Sequence, residues 1–264
     1  MGTDIDEYNK YIAKSRLLDI KPDFEYSILD IGNSVCIERY VGGIGDYYDN
    51  MECIEIPGFV SSIRDGTFKS IKKPLKIVYK GDKLKYIPEL FKQYKGIELD
   101  LSEFSTKGTE WMDSMFELCT NLKRINLSNF DTSRVTDMDN MFNECWKLEE
   151  LDLSSFDTRH VENMYGMFNN CWVLKKLDVR SFDTSNVENM SYMFCNCEAL
   201  KELDLSNFDT SRVKNMVCMF SNCMSLKKLG IRRFNTSNVE NMSDMFCNCE
   251  ALKDVKKLLG KDMV

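Results

Sequence analysis

Eleven cysteines against a single histidine limit the chemistry open to this 264-residue chain. Six of the thiols, Cys119, Cys145, Cys171, Cys197, Cys223 and Cys249, recur every 26 residues. So placed, they could be disulfide partners, zinc ligands or core thiols. Neighbouring strands of a stack lie ~4.8 Å apart, close enough for a bridge, but equivalent side chains point the same way, which is poor geometry for one. Cys195-x-Cys197 and Cys247-x-Cys249 suggest a metal, yet structural zinc pairs have ~2–4 intervening residues and these two pairs sit in different repeats. Core thiols are therefore expected, with the off-series Cys195, Cys218 and Cys247 as the reactive ones. His160 fills a polar position occupied in other repeats by Arg134, Asn186, Arg212 and Asn238, and reads as exposed. Carboxylates abound, but none is set in an apolar run that would raise its pKa for general-acid work. With no Gly-rich phosphate loop either, the sequence predicts no enzyme: no catalytic residue, no metal and no cofactor.

What positions these residues is a repeat. Leu99, Ile125, Leu151, Leu177, Leu203 and Leu229 fall 26 residues apart, as do Phe104, Phe130, Phe156, Phe182, Phe208 and Phe234. Six copies of L-x-L-x-x-F-(D/N)-T-S-x-V-x-x-M-x-x-M-F-x-x-C-x-x-L fill residues 97–254 without an insertion. This register supplies 12 of the 16 Met and 12 of the 16 Phe, so these residue types are structural before they are functional. Within one copy, Leu203 and Leu205 alternate with polar neighbours, which predicts a short strand. Asp209-Thr-Ser predicts a turn whose short side chains bond nearby backbone N–H groups. Val213, Met216, Met219, Phe220 and Cys223 recur at intervals that predict a short helix. Ser185-x-x-Glu188 and Ser237-x-x-Glu240 have capping-box spacing at its start.

A strand and a helix in 26 residues make one coil of an α/β solenoid, with a parallel sheet on the concave side and short helices on the convex side. A single copy buries too little apolar surface to offset its chain entropy, so the copies must stack. The expected organisation is an N-terminal cap at 1–52 (helix plus hairpin), two degenerate repeats at 53–96, six regular repeats at 97–254 and a C-terminal cap at 255–264. In that last segment Val255, Leu258 and Leu259 would shield the final coil.

Composition is that of a globular body, with 43% hydrophobic and 29% charged residues. A net charge of −7 excludes a broadly cationic nucleic-acid coat. No stretch approaches ~18 consecutive apolar residues, so no membrane insertion is expected. The start, MGTDIDEYNKYIAKSRLL, lacks the apolar core of a signal peptide. As written the chain is expected in the cytoplasm as a monomer with free thiols; if a leader was removed, it belongs at the cell surface or outside.

The pattern L-x-x-L-x-L-x-x-F resembles a leucine-rich repeat, and its continuation FDTSxVxxMxxMFxxCxxL is similar to the BspA-like subclass. That continuation is whole in 130–148, 182–200 and 208–226 and, with Asn for Asp, in 234–252. Upstream, Ile54-x-Ile56-Pro57-x-x-Val60-x-Ser62-Ile63-x-Asp65-Gly66-x-Phe68 resembles the shorter repeat found in such proteins, and 24–43 their entry hairpin. The resemblance implies a right-handed solenoid whose exposed faces bind a partner. It also raises an alternative, a secreted or surface adhesin.

Three surfaces stand out. Between the strand leucines runs a row of Asp100, Asn126, Asp152, Asp178, Asp204 and Gly230, flanked by Ser102, Ser128, Ser154, Arg180, Ser206 and Arg232. A further row, Glu98, Arg124, Glu150, Lys176, Glu202, Lys228 and Asp254, alternates in sign and is expected to fix register. Trp146 and Trp172 share one position in adjacent copies, a position that takes Glu elsewhere, and read as an exposed aromatic pair. Lys69, Lys72, Lys73, Lys76, Lys80, Lys83 and Lys85 form a basic run, interleaved with tyrosines. A solvated face, an acidic partner and nucleic acid all remain open for it. The leading expectation is protein recognition, as an intracellular inhibitor or adaptor, through the concave rows and the Trp pair.

Overall fold

The alternating leucines of each repeat lay down one short strand, and most successive strands pair in parallel. In the computed structural model the backbone is described over 6–10, 24–29, 34–40, 53–69 and 71–253, and side chains over 6–10, 53–69 and 71–253. The proposed shield of Val255, Leu258 and Leu259 lies outside the described residues, as does Asp254.

Strands β1 (Phe24–Leu29) and β2 (Ser34–Tyr40) pair antiparallel, and β2 continues in parallel onto β4 (Ser62–Ile63). The main ladder begins with β3 (Cys53–Ile56), β5 (Leu75–Tyr79), β6 (Glu98–Phe104) and β7 (Arg124–Asn126), all parallel and in that order. It resumes with β8 (Glu150–Leu151) beside β9 (Lys176–Leu177), and β10 (Glu202–Asp204) beside β11 (Lys228–Gly230). Register follows the repeat: Leu99 lies against Ile125, Leu151 against Leu177 and Leu203 against Leu229. Positions one repeat apart are therefore lateral neighbours, as a leucine-rich-repeat solenoid requires.

The expected convex helices are absent; among the described residues only 6–10 are helical. In their place runs a second parallel ladder of single bridges, from Tyr86 through Trp111, Asp137, Asn163, Asn189 and Asn215 to Asn241. After each bridge the N–H groups alternate in direction. Met112, Ser114, Phe116 and Leu118 donate to the next coil, while Met115, Glu117 and Cys119 donate three residues back within their own. The cause is a left-handed residue every fourth position, Ser114 (φ 52°) and then Leu118 (φ 60°), which reverses the turn before an i→i−4 bond can close. Met112, Met115, Phe116 and Cys119 still all point inward, which is why their spacing reads as helical.

The capping boxes fail for the same reason. Ser185 turns back, its N–H and Oγ both donating to Asp183 Oδ1 at 3.0 and 2.7 Å, while Glu188 pairs with Lys214 at 2.6 Å. Ser237 does the same with Asn235. The Asp-Thr-Ser turn is thus closed by its side chains as its composition predicts.

The core is built in columns. Phe91, Phe116, Phe142, Phe168, Phe194, Phe220 and Phe246 stack with centroids 5.4–5.8 Å apart. Each series cysteine donates its thiol to the carbonyl of a phenylalanine in the preceding coil, as Cys171 does to Phe142 at 3.3 Å. Two polar columns tie coil to coil. Buried Thr132, Thr158 and Thr210 each donate to a backbone carbonyl of the next coil and accept that residue's N–H. Asn170, Asn196, Asn222 and Asn248, all at left-handed corners, pass amide hydrogen bonds of 2.7 Å along the stack.

Candidate recognition surface

Because the strands are only a few residues long, each strand position becomes a row across the face. A hollow of about 1070 Å3 runs over β5 to β9, with Leu75, Leu99, Ile125 and Leu151 among its lining. Charges of both signs rim it: Lys73, Lys76, Arg124 and Lys176 against Glu98, Asp100, Glu150, Asp152 and Asp178. A second hollow of about 640 Å3 shares Asp178 and continues past Arg180, Asp204, Ser206, Lys228 and Arg232. The structure thus gathers the row from Asp100 to Gly230, with Arg180, Ser206 and Arg232, into adjoining hollows, whereas Ser102, Ser128 and Ser154 line neither.

The aspartate row also has an internal task. Asp100, Asn126, Asp152, Asp178 and Asp204 each accept the N–H of the residue two positions on, at 2.9–3.2 Å, closing the turn where the strand ends. The N–H of Ser154 holds the Asp152 carboxyl below its ordinary range, and the Ser206 hydroxyl, then its N–H, lower that of Asp204. The Arg180 guanidinium grips Asp178 through both oxygens and draws its pKa down to about 2. Like charges stacked in line are tolerated because each is bound locally. Gly230 ends the row where a Cβ would meet Asp204 Oδ1 at 2.7 Å.

The alternating row neutralises itself in part, with Arg124 bonded to Glu98 and Lys228 to Glu202. Trp146 and Trp172 stack face to face, centroids 4.8 Å apart and planes 3° from parallel. Trp172 is exposed; Trp146 is only half-buried, and among the described residues its Nε1 has no hydrogen-bond partner. The lysine run does not form one patch of unpaired charge: Lys76 and Lys80 share Glu103, while Lys73 and Lys76 line the strand hollow.

Among the off-series thiols, Cys247 is exposed and Cys218 half-buried. Cys195 is buried instead, with its pKa pushed up to about 11, so it is not among the reactive ones. Among the described residues no three His, Cys, Asp or Glu are grouped to hold a metal, and no helix is long and apolar enough to cross a membrane.

A third tryptophan, Trp111, escapes a search for repeated identity because its column holds Asp or Asn in later coils. It is exposed beside Tyr86, which is exposed as well, and borders a further hollow of about 420 Å3 with Arg134 and His160. The signal for it is the departure from the column rather than the column itself.

No curated protein matches the chain. Among solved structures, a leucine-rich repeat protein of T. pallidum shares 20% identity over 90% of this chain and 92% of that one, with a TM-score of 0.46. A leucine-rich repeat protein from Eubacterium ventriosum shares 18% over 76% and 60%, with a TM-score of 0.45. A leucine-rich cell surface protein from Faecalibacterium prausnitzii shares 15% over 88% and 92%, with a TM-score of 0.24. The family DUF285, described as Mycoplasma protein of unknown function, matches residues 85–201 and 163–260. Those matches span more than half of the 264 residues and coincide with the columns described above, and the chain belongs to the DUF285 family.

Proposed function

We propose that this protein is a non-enzymatic recognition module that grips a partner protein across its strand face, with the Trp146–Trp172 stack as a second anchor. The observation that carries this is the pair of adjoining hollows, with charges of both signs around leucine and isoleucine. Apolar area supplies affinity and the charges select and orient the partner. The pairing of Lys76 and Lys80 with Glu103 supports a structural role for that part of the lysine run, over a nucleic-acid contact. Free thiols exposed at Cys53 and Cys247 support a reducing compartment, and so an intracellular adaptor or inhibitor over a surface adhesin.

The test is affinity capture from the cells that make the protein, repeated with Trp146→Ala plus Trp172→Ala and with Asp152→Asn plus Asp178→Asn, which remove the charges and keep a side-chain oxygen to close each turn. A specific partner should be lost in at least one double variant while circular dichroism and melting stay near wild type. Equal capture by both variants would remove the strand face and the Trp pair from consideration.

A further inference from the structure

The bridge side of the coils breaks its own rule at its first two steps. From Asp137 to Asn241 every bridge residue is Asp or Asn, and its side-chain oxygen accepts the N–H two positions on at 2.9–3.1 Å. Tyr86 and Trp111 hold the two earlier steps, and neither an indole nor a phenol closes such a turn. Forgoing that hydrogen bond gives up about 0.5–1.5 kcal/mol. In its place stand two rings, 57% and 41% exposed, with centroids 5.9 Å apart at 62°. Folding gains little from rings left so open to water, so their value lies in what they contact.

The hollow beside the indole says what that is. Glu110, Arg134, His160 and Glu162 line it, and among the described residues none of these four side chains has a hydrogen-bond or ion-pair partner. Asn186, also in the lining, is already engaged by Arg212 at 2.7 Å. Two carboxylates, a guanidinium and an imidazole nearly balance in charge, so the site does not draw in a strongly charged polymer. All are planar groups that take adjacent hydroxyls, beside a flat apolar ring. A volume of about 420 Å3 falls within the size of small-ligand sites. The chemistry that fits is a molecule with an apolar C–H face and hydroxyls at its edge, which describes a pyranose ring. A polar hollow with free planar groups beside a single indole suits that edge better than it suits a protein surface, which would bury apolar area. This hollow is lined by none of the residues of the strand-face hollows, and the inference stands apart from the proposed protein contact there.

We propose that Trp111, with Tyr86 alongside, is the platform of a binding site for a neutral oligosaccharide, whose hydroxyls are taken by Glu110, Arg134, His160 and Glu162. The test is isothermal titration calorimetry of the full chain with maltotetraose, cellotetraose and chitotetraose, and with a heparin tetrasaccharide as the charged control. At least one neutral tetrasaccharide should bind with a Kd between about 10 μM and 1 mM. Trp111→Ala should weaken it about tenfold or more, and Arg134→Ala and Glu162→Gln about threefold or more, while Trp146→Ala leaves it unchanged. Should Trp111→Ala lower the melting temperature, Arg134→Ala carries the test, since that exposed side chain makes no hydrogen bond or ion pair among the described residues. The proposal is overturned if no neutral tetrasaccharide binds at millimolar concentration, if only heparin binds, or if Trp111→Ala in a stable fold, or otherwise Arg134→Ala, binds as tightly as wild type. A protein partner captured through Trp111, with no saccharide bound, would overturn it as well.

Discussion

Thr132 and Asp157 exchange two hydrogen bonds across adjacent coils: the threonine Oγ1 donates to the aspartate carbonyl at 2.9 Å and accepts its N–H at 2.8 Å. The threonine side chain thus stands in for a strand's worth of pairing at a corner where no strand runs. Thr132→Val, nearly equal in shape, strands both backbone groups and should destabilise by about 1–3 kcal/mol in urea unfolding, whereas Thr132→Ser retains most of the stability. Equal stability of the Val variant would show that the bridge contributes nothing.

The Asn196 corner separates backbone from side chain. Its φ of 58° is left-handed, and its amide both donates to Asn170 and accepts from Asn222. Asn196→Gly keeps the conformation and loses the amide chain; Asn196→Ala loses both. The Ala variant should therefore melt lower than the Gly variant, by a difference of about 1–2 kcal/mol at the corner. The reverse order would mean that backbone strain there is negligible.

Thiol reactivity should divide by column. Burial pushes the Cys171 thiol up to about 12 and Cys249 up to about 11, so neither forms thiolate near neutrality. Iodoacetamide at pH 8, read by mass spectrometry, should label Cys53 and Cys247 in the native protein, with Cys145, Cys171, Cys197 and Cys223 labelled only after unfolding. Native labelling of Cys171 at the rate of Cys247 would contradict the buried column.

Asp139 gives a pH dependence with a definite sign. Burial, and then Asp137, Asp113 and Glu117, raise its pKa to about 6, against the opposing pull of Lys92. A carboxyl raised in the folded state binds its proton more readily there than when unfolded, so its contribution to stability improves as pH falls from above 6 toward 4 and is lost as pH rises. Asp139→Asn should stabilise by about 1 kcal/mol at pH 7, allowing for solvent screening, with the advantage gone below about pH 4. Melting temperatures across that range decide it; a variant no more stable than wild type at pH 7 would place the carboxylate in water.

The columns were legible in the amino-acid order because the period never slips: once Leu99 pairs with Ile125, every later register follows. The helices were misread because a left-handed residue at every fourth position sends Met112, Met115, Phe116 and Cys119 inward at the same intervals as a helix does. The aspartate row invited an external explanation because spacing shows that charges align, but not that Asp152 or Asp204 already holds the N–H two residues on. Trp111 was hidden by the opposite cause. A residue that replaces the repeated type leaves no periodic trace, and only the turns closed by Asp137 and Asn163 reveal what it displaced.

The alternation of N–H groups along each bridge segment, half to the next coil and half to their own, has a mechanical meaning. Shear between neighbouring coils loads a whole row of bonds together, whereas peeling from one end loads a single coil at a time. Drawn out from its ends, the array at 97–254 would yield in equal steps, each freeing 26 residues, about 90 Å of contour. A solenoid of this kind would shed tension by degrees and keep its remaining coils in register while it does so.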